Sequence, residues 1–178
     1  MGNKPQPIDQ YTFWGNLAKV QKVKKTFSNY GYEYEVELKI TWKIFSEDTT
    51  KQNIVHIISQ DVAMNPSTGL DDVGKFGCRT PAIYFGSGKW YIRAGLNDEK
   101  DTRFTIQATD KDHVINVSQR KYGDKYIFKI VIDGVTKEEI EQTKPMRFDK
   151  VDVYLSSYYT MDINENILLH YVKIYQWA

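Results

Sequence analysis

Between Tyr32 and Phe45 apolar and polar residues alternate almost without a break. Tyr32, Tyr34, Val36, Leu38, Ile40, Trp42 and Ile44 occupy one phase; Glu33, Glu35, Glu37, Lys39, Thr41 and Lys43 occupy the other. Successive side chains of a strand point to opposite faces. The pattern therefore predicts one long strand with a face in a core and a face in water. A helix would spread the same apolar residues around its whole surface. The phase places Trp42 in the core with Val36 and Ile40.

Shorter runs follow. Ile54–Ile58, Phe104–Ala108, Val114–Val117 and Val151–Leu155 read as strands, and Ile167–Trp177 as a long closing one. Pro81–Phe85 and Trp90–Ala94 flank Gly86-Ser87-Gly88, and Tyr126–Ile132 runs into Asp133-Gly134 before Val135. Glycine reaches positive φ without penalty, so both junctions predict tight hairpins. About ten strands with regular turn signals and no βαβ spacing predict an all-β, antiparallel fold, a two-sheet β-sandwich or a barrel. Lys19–Asn29 and Lys137–Gln142 are the candidate helical turns, though neither has a full apolar face. Residues 1–178 read as one domain, with Met1–Gln10 as a flexible tail.

Composition narrows the function classes. Aromatic residues make up 14% of the 178, which favours a packed core over disorder. Twenty-four Lys and Arg against 23 Asp and Glu argue against a dedicated nucleic-acid binder. No apolar run reaches the length of a spanning helix. Met1–Gln10 is polar and lacks a leader's apolar stretch, which leaves an intracellular protein and a mature form both open. The single cysteine, Cys78, excludes an internal disulfide and reads as a small core residue. His56, His113 and His170 have no ligand spacing. No phosphate loop or nucleophile elbow appears.

Three blocks carry a family resemblance. They are Gly77-Cys78-Arg79-Thr80-Pro81-Ala82-Ile83-Tyr84-Phe85, the run Lys125–Gly134, and Phe148-Asp149-Lys150-Val151-Asp152-Val153-Tyr154-Leu155-Ser156. Together they resemble the concanavalin A-like, or laminin-G-like, jelly-roll modules of invertebrate extracellular proteins, over Leu70–Tyr175. Cys78 and Ser157 stand where that pattern has aspartates, which puts any metal those acids serve in doubt. The resemblance implies a jelly roll at the cell surface or outside the cell that binds glycans or proteins. Some relatives use calcium.

Candidate sites follow from side-chain chemistry. Calcium wants converging carboxylate oxygens. Asp71-Asp72, Asn97-Asp98 with Asp101, and Asp162–Asn166 are the acidic loops, with Asp71, Asp72 and Asp162 as candidate ligands. Sugars present apolar C–H faces ringed by hydroxyls, so a site wants flat aromatics beside amides or acids. Tyr158 and Tyr159 lie beside Asn164 in a predicted loop, and Trp90 follows a glycine turn; these four are the candidate ligand-binding residues. Glu33, Glu35 and Glu37 share a strand face, the one arrangement that admits a glycosidase. A polysaccharide lyase would want a His and a Tyr facing an Arg; His56, Tyr91 and Arg93 can be cast that way, though their spacing does not match such enzymes well. The expected function is a non-catalytic module binding glycan or protein at its loops or concave face, with calcium as the candidate cofactor. The alternatives are a carbohydrate-active enzyme and a structural protein that self-associates into homo-oligomers.

Overall fold

The computed structural model describes residues 6–15, 23–42, 52–62, 76–108, 112–155 and 167–177. Its strands are β1 (Asp9–Trp14), β2 (Val23–Tyr30), β3 (Glu33–Trp42), β4 (Gln52–Ser59), β5 (Ala82–Gly86) and β6 (Lys89–Leu96). β7 (Glu99–Gln107), β8 (Asp112–Tyr122), β9 (Lys125–Ile132), β10 (Val135–Gln142), β11 (Phe148–Leu155) and β12 (Ile167–Trp177) complete them. They form two six-stranded sheets, β1-β12-β3-β8-β9-β10 and β2-β11-β4-β5-β6-β7. All pairings are antiparallel. No helix occurs among the described residues, and the molecule is a β-sandwich.

The alternation in β3 does what its period requires. Tyr34, Val36, Leu38 and Ile40 are buried, while Glu33, Glu35, Glu37 and Lys39 face outward and are only partly covered. The inward residues meet Phe27, Ile57, Ile83, Trp90, Ile92, Val151 and Val153 of the second sheet in one continuous core. Trp42 ends β3, but its side chain lies outside the described residues.

Both predicted hairpins form. Ser87 and Gly88 link β5 to β6 with φ of 49° and 68°, and Asp133 and Gly134 link β9 to β10 with 54° and 77°. Two successive positive φ values match the right-handed twist of the flanking strands. Asp133 adds a clamp: its Oδ1 accepts from the Val114 amide at 2.8 Å and its Oδ2 from His113 Nδ1 at 2.6 Å.

Where they are described, the expected helical turns are strands; residues 19–22 lie outside the described residues. Val23–Tyr30 pairs along its length with β11 and buries Phe27 and Tyr30. Val135–Gln142 is the edge strand β10 beside β9. Both segments are too polar to show a period of two, and their pairing comes from neighbours distant in sequence. Asp9 and Gln10, expected in the tail, belong to β1, and the Ile8 amide donates to Gln176 O at 2.8 Å; residues 1–5 lie outside the described residues.

The two outer faces differ. On the second sheet, every residue of β4 is buried. Ile58 packs outward with Val62, Cys78 and Tyr154, under the chain that precedes β5. On the first sheet, the outward phases of β1 and β12 and the outward residues of β3 keep solvent contact, apart from Trp177.

Candidate functional site

The open face of the first sheet is the strongest candidate. β12 buries Val172 and Ile174, so Tyr171, Lys173, Tyr175 and Trp177 point to the other side. Edge strand β1 buries Tyr11 and Phe13 against the core and turns Gln10, Thr12 and Trp14 outward. Register then sets neighbours: Trp14 opposite Tyr171, Thr12 opposite Lys173, Gln10 opposite Tyr175. On the other flank, Lys39 lies opposite Tyr171, Glu37 opposite Lys173, Glu35 opposite Tyr175 and Glu33 opposite Trp177.

Three rings keep solvent contact on this face, Trp14 exposed and Tyr171 and Tyr175 half-buried. Trp14 is 67% exposed and meets Tyr171 edge to face, with centroids 5.4 Å apart. Tyr175 lies 5.8 Å from Trp177. Trp177 itself is covered, because the Arg120 guanidinium lies 3.5 Å from its ring centroid. Trp177 therefore holds Arg120 in place and offers no free face.

The polar groups between the rings form a fixed grid. Lys173 Nζ sits 4.5 Å from the Tyr171 centroid and 5.9 Å from that of Trp14, and 3.4 Å from Glu37 Oε1. Burial presses the Lys173 ammonium down, but the hydrogen bond and charge of Glu37 outweigh it and hold Lys173 above the ordinary lysine range. Partial burial, then Glu37, raises the Tyr171 phenol, so Tyr171 is a neutral hydroxyl at physiological pH. Glu35 Oε1 accepts from Asn116 Nδ2 at 2.7 Å, and Arg120 reaches Glu33 at 3.2 Å and Glu35 at 3.8 Å.

This grid answers the reading of Glu33, Glu35 and Glu37 as hydrolytic acids. The three alternate along one strand on an open sheet face, each within 4 Å of Arg120 or Lys173. A glycosidase needs two carboxyls flanking a bond within a site. Here they serve the cation grid.

The other expected sites fare differently. Trp90 is corrected outright: it is fully buried, 4.9 Å from Phe85 and 5.9 Å from His113 by ring centroid, and presents no face to a sugar. Inward phase on β6 decided this, since Trp90 shares it with Ile92 and Ala94. Tyr158, Tyr159, Asn164, Asp71, Asp72 and Asp162 lie outside the described residues. Among the described residues no cluster of three metal-ligating side chains occurs. The loop with Asn97, Asp98 and Asp101 is not a calcium site: Asp101 is held by Arg79 at 3.3 Å, Arg103 at 3.0 Å and Arg93. Asn97 Oδ1 accepts from the Thr143 amide at 2.7 Å, and Asp98 pairs with Lys144. His56 is buried and bonds Cys78 O at 2.8 Å, which removes it from any lyase set with Tyr91 and Arg93.

The outward rings of β1 and β12 escaped the sequence reading. The signal was present: Tyr171, Tyr175 and Trp177 share the phase of Lys173, against Val172 and Ile174. A strand burying the aliphatic phase must expose the aromatic one.

No family model matches the chain, and no curated protein matches it. Solved structures do. The ligand-binding domain of botulinum neurotoxin serotype D, in complex with N-acetylneuraminic acid, superposes with a TM-score of 0.58 at 13% identity, over 95% of this chain and 39% of that one. The receptor-binding domain of botulinum neurotoxin D gives 0.57 at 14% identity, over 95% and 45%. The binding domain of botulinum neurotoxin DC, in complex with rat synaptotagmin II, gives 0.52 at 10% identity, over 94% and 43%. At these identities the likeness shows the shared β-sandwich fold alone, and the chain spans less than half of each neighbour. Among the described residues no helix is long and apolar enough to cross a membrane.

Proposed function

We propose that this chain is a non-catalytic binding module that takes a glycan on the open face of the β1-β12-β3-β8 strands. One observation carries the reading: Trp14, Tyr171 and Tyr175 face outward together, interleaved with Lys173, Glu37 and Glu35. Rings stack on the C–H faces of sugars, and the polar groups between them take hydroxyls. The polar groups are fixed by one another, so little ordering cost falls on binding. The neighbouring neurotoxin domains support the class, one in complex with N-acetylneuraminic acid and another with a synaptotagmin. A concanavalin A-like jelly roll working outside the cell or at its surface belongs to the same proposal. Calcium has no part in this face, whose cations are Lys and Arg.

A glycan array followed by titration calorimetry tests the reading. Binding that survives chelation of calcium and is lost in Trp14→Ala supports it. Turnover of any oligosaccharide, or binding indifferent to Trp14, overturns it.

A further inference from the structure

We infer that the ligand of this face is an uncharged linear oligosaccharide lying along β12, long enough to reach from Tyr171 to Tyr175. The inference rests on the glycan reading above and deepens it. Tyr171 and Tyr175 stand four residues apart on one strand, which places their rings about 13 Å apart along it. That separation exceeds a single sugar ring, so one monosaccharide touches only one of them. Between the two rings lies the Lys173–Glu37 pair, and Thr12 of β1, exposed and opposite Lys173, borders the same track. A chain along this line meets a ring, a polar pair and a ring in turn.

Charge decides against an acidic sugar. Along the strip, Glu33, Glu35 and Glu37 face Lys39, Lys173 and Arg120, and β1 adds no charge to its outward phase. Arg120 is spent on Glu33, Glu35 and Trp177, and Lys173 on Glu37. Between Tyr171 and Tyr175, among the described residues, a carboxylate or sulfate meets only the already paired Lys173 and lies beside Glu35 and Glu37; Lys39, opposite Tyr171 at one end, is the one cation of the strip outside these pairs. Hydroxyls do better, because each paired carboxylate and ammonium retains capacity for a further hydrogen bond. This separates the face from the neighbour whose ligand is N-acetylneuraminic acid.

The test uses the full chain and an array of neutral linear oligosaccharides, from monosaccharide to hexasaccharide, beside sialylated and sulfated counterparts. The expected result is selection of neutral chains, with affinity rising from disaccharide to hexasaccharide. Tyr175→Ala and Trp14→Ala should each weaken the hexasaccharide about tenfold, the effect of one lost stacking contact. Preference for the acidic series, or equal affinity for monosaccharide and hexasaccharide, overturns this inference and leaves the glycan reading standing. Silence across every sugar, with the fold intact by circular dichroism, overturns both.

Discussion

Arg120 lies over Trp177, its guanidinium carbon 3.5 Å from the ring centroid, while its nitrogens reach Glu33 and Glu35. The contact joins the C-terminal end of β8 to the end of β12 across β3. It holds one end of the open face rigid. Arg120→Ala should lower stability by roughly 1–2 kcal/mol, measured by urea denaturation. Arg120→Lys should recover little, because a compact ammonium neither stacks on the indole nor offers the planar fork that meets both carboxylates.

Trp90→Ala should cost about 3–5 kcal/mol, since it empties a fully buried volume between Phe85 and His113. Trp90→Phe should cost less. Thermal unfolding measures both. Ligand affinity in Trp90→Phe, which keeps the fold, should equal that of the parent chain.

These two tryptophans show what the sequence carried. The strand β3 and the hairpins at Ser87-Gly88 and Asp133-Gly134 were legible because local period and turn chemistry agree with the final pairing. β2 and β10 are not, because Val23–Tyr30 and Val135–Gln142 are largely polar and are strands only through their neighbours. The candidate site was missed for a related reason. Ile167–Trp177 reads as a long closing strand, and that reading alone does not say which of its two phases faces the core and which stays open. Which of two sheet faces stays open depends on how chain segments fold over β4, and no local pattern records that.

Asp101 provides a pH test. Burial pushes its carboxyl up, but hydrogen bonds from Arg93 and Arg103 and the charge of Arg79 outweigh this and hold it below the ordinary range. A carboxylate with a depressed folded pKa contributes stability above its unfolded value of about 3.9, and that contribution fades as pH falls through the folded value. Stability should therefore drop below about pH 4. Asp101→Asn should lose roughly 1–3 kcal/mol at neutral pH, as three guanidinium groups lose their carboxylate, and should flatten that acid limb. Denaturation midpoints across the pH range check both.

Gly77 is a third structural test. Its φ is +90°, and an added Cβ would lie 2.7 Å from Ser59 Cβ and 2.8 Å from Phe148 Cε1. Gly77→Ala should destabilise by about 1–3 kcal/mol through backbone strain and overpacking, read as a lowered midpoint. The outer face of β12, on the other sheet, should keep its binding.

The four tryptophans report directly on which surface meets the ligand. A titration of the nitrogen-15-labelled chain with an array-selected oligosaccharide follows each indole signal. The indole of Trp14 should shift in proportion to occupancy, while that of Trp90 stays fixed in the core. Saturable binding that leaves the Trp14 signal unmoved would contradict the assignment of the open β1-β12-β3-β8 face as the recognition surface.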